Sequence, residues 1–267
     1  DLLKAESIGD LIHSETELQR EQAIKLVLGN ASNYYNDIRE KLIKSLAFIE
    51  AKIDFAEDDI PDKIIQEVHQ SVKNIHKDIQ KILADGKVGE KIRDGFKVSI
   101  IGEVNSGKSS LLNLLSKREV AIVSEEEGTT RDVIETYLNI EGYPVILADT
   151  AGIREAKNEV EKKGIYLALR KSKEADIKII MIDNTSKKVD QKIKDLINSE
   201  SIVLLNKSDI TCNQNHQFAA DTILVSVKNN INIDVLIKRL KQKLSNKFTS
   251  NKNILVTRER HRIKLNE

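Results

Sequence analysis

Gly102-Glu103-Val104-Asn105-Ser106-Gly107-Lys108-Ser109, entered from the apolar run Lys97-Val98-Ser99-Ile100-Ile101, decides the reading of this chain. An apolar run of that length is expected to form a buried strand. Ser109-Ser110-Leu111-Leu112-Asn113-Leu114-Leu115 reads as the first turns of a helix. Strand, glycine-bounded loop and helix are together the context that a Walker A phosphate loop requires. Its glycines let successive N–H groups turn inward toward phosphate oxygens, and the helix N-terminus adds partial positive charge there. Lys108 is expected to reach the β and γ phosphates and the Ser109 hydroxyl to ligate Mg²⁺, with Asn105, Ser106, Gly107 and Ser110 lining the cradle. The bland alternative is a glycine-rich turn that happens to contain Lys-Ser.

Four further motifs weigh against that alternative. Gly128-Thr129-Thr130-Arg131-Asp132 lies about 20 residues downstream, where a threonine can swing onto Mg²⁺ and the γ-phosphate. Asp149-Thr150-Ala151-Gly152 follows an apolar strand. Its Asp149 can hold Mg²⁺ through water, and Gly152 lets a backbone N–H meet the γ-phosphate. Asn206-Lys207-Ser208-Asp209, again at a strand end, suits a purine reader. A carboxylate accepts both N1–H and the 2-amino group of guanine, a donor pair that adenine lacks on that edge. Ser226-Val227-Lys228 then stands where a backbone N–H could meet guanine O6. Each tetrapeptide alone could be a polar loop; in this order they read as a guanine-nucleotide-binding domain of the translation-factor-like kind, taking GTP or GDP.

The hydrolytic group is less legible. Many small GTPases place a water-orienting glutamine directly after Asp-x-x-Gly, but here that position is Ile153. Glu159 and Glu161 are the nearest acidic residues, and the residues alone do not choose between them. Arg131 and Arg154 are nearby, yet neither is assignable as an arginine finger. The charge that develops in the transition state still needs a countercharge, which a monovalent cation could supply.

Composition sets the frame. The 267 residues allow one large domain or two modest ones. With 4% aromatics, no Trp and 32% charged residues, a soluble, helix-rich protein with an aliphatic core is expected. A net charge of +1 shows no overall pull toward nucleic acid or membrane. The balance is uneven: residues 1–94 carry 14 basic and 19 acidic side chains, a net of −5, against +6 for the remainder. The lone Cys212 rules out an internal disulfide and suits a reducing cytosol, and no apolar run approaches a bilayer span. The opening Asp1-Leu2-Leu3-Lys4-Ala5 has no methionine or signal pattern, so the chain reads as a cytoplasmic piece from the interior of a longer protein.

Residues 1–94 show apolar positions at helical spacing, with Ile38, Leu42, Ile43, Leu46, Ile49 and Ile53 in one stripe. Pro61 is placed to open the next helix, whose stripe is Ile64, Ile65, Val68, Val72, Ile75, Ile79 and Leu83, with stops at Gly86 and Gly89. An antiparallel bundle is expected, of two long helices and one shorter helix before Gly29. His69 and His76 sit seven apart and read as solvated or packed rather than as a metal pair. From Lys97 short β runs alternate with helices: a hairpin of Tyr137–Ile140 and Val145–Ala148 around Glu141-Gly142-Tyr143-Pro144, strands at Ile177–Ile182, Ile202–Leu205 and Ile223–Val225, and a helix from about Ile233 to Leu244. That alternation predicts a mostly parallel sheet with helices on both faces. Arg258-Glu259-Arg260-His261-Arg262 reads as the start of a last helix.

The lead-in Ala5-Glu6-Ser7-Ile8-Gly9-Asp10-Leu11-Ile12, the segment Glu50-Ala51-Lys52-Ile53-Asp54-Phe55 and the run Asp149-Thr150-Ala151-Gly152-Ile153-Arg154-Glu155-Ala156 resemble the tRNA-modifying GTPases of the MnmE (TrmE) family over essentially the whole chain. The resemblance implies an α/β P-loop GTPase domain over 95–248, inserted into an incomplete all-α helical bundle formed by 1–94 and 249–267. It implies Mg²⁺-dependent GTP hydrolysis activated by K⁺ through G-domain dimerisation, with a flavoprotein partner, in modification of the wobble uridine of certain tRNAs. Residue by residue, Asn105 matches the K⁺-ligating asparagine, with Ser124, Glu126 and Thr129 contributing from the following loop. Ser109 and Thr130 match the Mg²⁺ ligands, and Glu161 matches the glutamate that orients water. Val104 departs from the usual proline of Gly-x-Pro-Asn, Val227 stands where alanine is commoner, and Glu125 to Glu127 crowd the K⁺ loop. The family's N-terminal folate-binding domain and its C-terminal helix pair with a Cys-Ile-Gly-Lys tail are not in this sequence, and a half-completed helical domain would leave its apolar stripe exposed. A ribosome-assembly GTPase shares the same loops, and a nucleotide-binding scaffold without turnover is the alternative of another class.

Overall fold

The computed structural model describes residues 2–55, 61–118, 121–122, 135–149, 174–186, 189–210, 221–248 and 254–267. They fall into two compact units, Asp94–Thr249 and a discontinuous one made of Asp1–Arg93 with Ser250–Glu267.

In the first unit, β-branched and aliphatic runs build seven strands: β1 (Phe96–Gly102), β2 (Ala121–Ile122), β3 (Glu135–Ile140), β4 (Tyr143–Asp149), β5 (Ile177–Asp183), β6 (Ser201–Asn206) and β7 (Thr222–Leu224). They form one sheet in the order β2-β3-β4-β1-β5-β6-β7. β1 runs parallel to β4 and β5, β5 to β6 and β6 to β7, whereas β2–β3 and β3–β4 are antiparallel. The parallel strands carry apolar residues on both faces. Val98 and Ile100 are buried, and so are their neighbours Ser99 and Ile101; all six residues of β6 are buried. Such two-sided burial is what covered parallel strands show. The chain connects β1 outward to β2, β3 and β4 on one side, then crosses to β5 on the other. In open α/β sheets, ligands bind beyond the carboxyl ends of the strands at such a switch point.

The hairpin is tighter than expected. Glu141 and Gly142 alone form the turn, with φ of 46° and 95°, as a two-residue connection of matching twist requires. Tyr143 and Pro144 belong to β4, and Pro144 opposes Asn139 one residue ahead of the β1–β4 ladder, so its missing N–H costs no bond there. Helix α5 (Lys108–Arg118) follows β1, α6 (Gln191–Lys194) follows β5, and α7 (Ile233–Phe248) follows β7.

The second unit holds α1 (Leu2–Ile12), α2 (Glu17–Val27), α3 (Asn30–Asp54), α4 (Asp62–Asp94) and α8 (Glu259–Asn266). Two short helices, not one, precede Gly29. The break is set by Thr16, whose side chain accepts from the Gln19 N–H while the Gln19 side chain accepts from the Thr16 N–H. That reciprocal pair satisfies two of the donors orphaned at a helix start. Helix α4 does not stop at Gly86 or Gly89 but runs on to Asp94. At Gly89 a Cβ would lie 2.0 Å from the Val256 carbonyl oxygen, so this glycine lets the segment 254–257 cross the helix at backbone distance. Val68, Ile75 and Ile82 of α4 are buried, but Leu42, Ile43, Leu46, Ile49 and Ile53 of α3 are exposed, Ile53 at 70%. His69 and His76 are exposed as well.

Charge closes one end of this unit. Glu6 and Asp10, one turn apart on α1, receive cations from two other places. Arg93 and Arg258 donate to Asp10 at 3.0 and 2.8 Å, and Arg258 and Arg260 pair with Glu6. Arg262 donates to Glu90 of α4 at 2.8 Å.

Candidate functional site

The loop after β1 is shaped by two left-handed residues, Asn105 at φ 62° and Gly107 at φ 104°. Only glycine fits the second place, since a Cβ there would also lie 2.4 Å from Asn206 Nδ2. The Leu111 N–H donates to the Gly107 carbonyl at 2.9 Å and starts α5, so the helix N-terminus faces the loop. Lys108 folds back across it, Nζ donating to the carbonyls of Gly102 at 3.0 Å and Glu103 at 2.7 Å. Ser106 is fully buried beneath the loop, and the Glu103 carboxylate accepts the Asp190 N–H at 3.0 Å. Ser109 and Ser110 are exposed at the start of α5.

Asn206, at the end of β6, ties three segments together. Its Nδ2 donates to the Ser106 carbonyl at 2.8 Å, its Oδ1 accepts the Val227 N–H at 3.1 Å, and its own carbonyl accepts the Asn184 N–H at 2.9 Å. The side chain is 5% exposed. This member of the Asn206-Lys207-Ser208-Asp209 motif is a buried strut that fixes the phosphate loop against the 226–228 loop while also lining the adjoining cavity. Val227 therefore spends its N–H on the protein.

Beyond the strut lie the groups that can meet a ligand. Asp209 is exposed, and its Oδ1 accepts from Ser226 Oγ at 2.6 Å. That bond, together with Asp209's own N–H and the ammonium groups of Lys228 and Lys207, holds the carboxyl below its ordinary value. The carboxylate is thus charged at neutral pH, with its second oxygen not engaged by Ser226. Lys207, at φ 67°, extends its Nζ to Asp183 Oδ2 at 2.5 Å. Burial pushes the Asp183 carboxyl up, but Lys207 and the Thr185 hydroxyl and N–H outweigh it and leave it lowered. Ser226 is fully buried and also accepts the Asn229 N–H at 3.2 Å.

These elements enclose a cavity of about 520 Å³, within the range of small-molecule sites. Of the residues that the motifs single out, Asn105, Gly107, Ser110, Asn206, Lys207, Asp209, Val227 and Lys228 line it. Asn113, Leu114 and Lys117 of α5 and Ile210 line it too, and none of these was singled out from the sequence. Their signal was present: Ser110, Asn113, Leu114 and Lys117 share one face of a helix at spacings of three, four and seven. Asp183 was also missed, because nothing local marks it as the partner of Lys207.

The remaining predicted residues are placed only in part. Asp149 ends β4, with Ile100 of β1 as its register partner, so its backbone reaches the same sheet edge as the phosphate loop. Ser124, Glu126, Thr129, Thr130, Gly152 and Glu161 lie outside the described residues, as do Arg131, Arg154, Glu159 and Cys212. Among the described residues no group of three or more His, Cys, Asp or Glu could hold a metal ion, and no helix is long and apolar enough to cross a membrane. The hydroxyl of Ser109 at the start of α5 and the acidic residue ending β4 are hard oxygen donors of the type that Mg²⁺ prefers.

A family model described as the MnmE helical domain matches residues 2–267. The chain is 53% identical to a tRNA modification GTPase MnmE of Pelagibacter ubique (strain HTCC1062), an alignment covering 98% of this chain and 60% of that protein. It is 42% identical to the protein of that name from Rickettsia akari (strain Hartford) and 41% identical to that from Rickettsia canadensis (strain McKiel), each again over 98% of this chain and 60% of the relative. The chain therefore spans about three fifths of the length of the curated relatives it matches. Among solved structures it is similar to a GTP-binding protein from the archaeon Sulfolobus solfataricus in complex with GDP, at 17% identity and a TM-score of 0.43, covering 79% of this chain and 67% of that one. A likeness that distant carries no argument.

Proposed function

This chain belongs to the MnmE family, and from that premise we propose that its sheet unit binds GTP and GDP and hydrolyses GTP as the nucleotide-handling part of a tRNA wobble-uridine modification enzyme. The observation that carries the reading is the arrangement around Asn206. One buried side chain joins the phosphate loop to the 226–228 loop, and beside it Asp209 is held ionised by Ser226 at the rim of the cavity. A carboxylate so placed accepts the N1–H and 2-amino donors of guanine and rejects adenine, because an unmatched donor or acceptor in such a site is costly.

In this reading the N–H groups of residues 105–110 and the Lys108 ammonium hold the phosphates, Lys108 leaving the carbonyls of Gly102 and Glu103 to do so. Ser109, Thr130 and Asp149 would hold Mg²⁺, which neutralises charge on the β and γ oxygens. Asn105, Ser124, Glu126 and Thr129 would hold K⁺, which would supply the countercharge that the transition state needs. Glu161 orients the attacking water indirectly, and Gly152 gives its N–H to the γ-phosphate. Two sheet units pair transiently across their nucleotide faces. The helical residues 1–94 and 249–267 form a bundle into which the sheet unit is inserted. A flavoprotein and tRNA are partners of the longer protein, in the cytoplasm.

GTP hydrolysis by the purified chain, in K⁺ and in Na⁺ at equal ionic strength with Mg²⁺ in excess, tests this. Selective stimulation by K⁺, lost in Glu161→Ala with GTP still bound, is the expected result. Equal rates in both salts would remove the cation loop, and undiminished turnover in Glu161→Ala would remove Glu161.

A further inference from the structure

The cavity has a wall that the guanine-nucleotide motifs do not account for. Lys207, Asp209, Ile210, Val227 and Lys228 come from the loops after β6 and β7, but Leu114 and Lys117 come from α5. With a rise of about 1.5 Å per residue, Lys117 stands about 13 Å along the axis from Lys108, at the level of the nucleoside rather than the phosphates. Helical side chains lean back toward the helix N-terminus, which tilts the Lys117 stem over the cavity. Arg118, its neighbour, is committed to Asp234. Lys117 has no hydrogen bond or ion pair among the described residues, so its stem is not drawn away. Among the described residues the cavity lining contains no Phe, Tyr or Trp, and a purine held by its edge at Asp209 still has two apolar faces to cover.

We propose that Leu114 and the aliphatic stem of Lys117 form the second wall of the nucleoside pocket, covering the purine face opposite the loops that carry Lys207 and Asp209. This rests on the guanine-nucleotide reading and deepens it. The stem lies along the purine while the ammonium reaches out to water, the usual behaviour of a long amphipathic side chain. The wall contributes affinity without reading the base edge.

The test is titration of the full chain with GDP and with XDP, in the unaltered sequence and in Lys117→Ala, Lys117→Met and Asp209→Asn. Xanthine carries a carbonyl where guanine carries its 2-amino group, so Asp209→Asn should move preference from GDP to XDP. Lys117→Ala should weaken GDP binding by about fivefold to tenfold, the worth of a lost apolar contact, and should weaken XDP by the same factor when combined with Asp209→Asn. Lys117→Met, which keeps the stem and drops the charge, should stay within about twofold. Full GDP affinity in Lys117→Ala, with the Asp209→Asn switch intact, would overturn the second wall and leave the reading standing. A loss in Lys117→Met equal to that in Lys117→Ala would overturn the stem in favour of the charge. No change of base preference in Asp209→Asn would overturn the guanine reading itself, whatever Lys117 does.

Discussion

The two units solve the burial problem differently. The sheet unit hides both faces of β1, β5 and β6, so that Ile180 and Ile182 pack with Val189, Val203 and Leu205 on one side alone. The helical unit buries one stripe of α4, leaves the apolar stripe of α3 exposed, and fastens its ends with Glu6, Asp10, Arg93, Arg258 and Arg262. The sheet unit rests on area removed from water, while the helical unit leans more on charge and on one close backbone crossing. Periodicity tells which face of a helix is apolar; it does not tell whether anything covers it.

The sharpest test of that contrast is a pair of truncations. Ile180→Ala should cost about 2–5 kcal/mol, because it opens a cavity in a core that cannot collapse. Leu46→Ala, at a residue already 55% exposed, should stay within about 0.5 kcal/mol. Denaturant titration of both variants reads the difference, and equal costs would mean that the α3 stripe is covered in solution.

Next in size is Gly89→Ala. In an open helix the change gains up to about 1 kcal/mol, but here the new Cβ would strike the Val256 carbonyl, so a loss of about 1–3 kcal/mol is expected. Stabilisation would show that the 254–257 crossing is not formed. Asn206→Ala, the counterpart in the sheet unit, leaves the Ser106 carbonyl and the Val227 N–H without their partner. About 1–3 kcal/mol should be lost, with GDP affinity falling alongside it. Unchanged affinity would detach the strut from the site.

Much of the sheet unit was legible because its signals are local. The run from Lys97 through Ser109 carries strand, loop and helix start within thirteen residues, and the guanine motifs sit at strand ends. What escaped depends on distance in sequence. Asp183 is 24 residues from Lys207, and the strut role of Asn206 needs Ser106 and Val227 in place. Gly86 and Gly89 look like helix stops until Val256 is known to cross there. Lys117 is an unremarkable surface lysine until the cavity is seen. The Thr16–Gln19 pair was visible in the sequence and marks a helix start that was passed over. Of the residues expected to hold K⁺, only Asn105 lies in the described chain; Ser124, Glu126, Thr129 and the water-orienting Glu161 lie outside it and stay proposals.

The smallest expected effects are in pH dependence, and they separate the units. Asp183 has a lowered carboxyl, so its stabilisation is complete above the ordinary carboxylate value of about 4 and disappears as pH falls through the lower folded value. His261 is pushed down by burial and by Arg260 and Arg258, although Glu6 lies 3.6 Å away. Its folded form binds a proton less readily than the unfolded chain, so stability should fall as pH drops below about 6.5. Melting curves of His261→Gln and Asp183→Asn against the unaltered chain should differ in those two windows, the first near neutrality and the second only in acid. Coincident pH profiles would erase the distinction.

The central claim is that the cavity beside Asn206 and Asp209 is a guanine site. Calorimetric titration of the whole chain with GDP and with ADP in Mg²⁺ addresses it most directly. The account predicts one GDP bound per chain and no saturable heat with ADP. Equal binding of both nucleotides, or of neither, would contradict it.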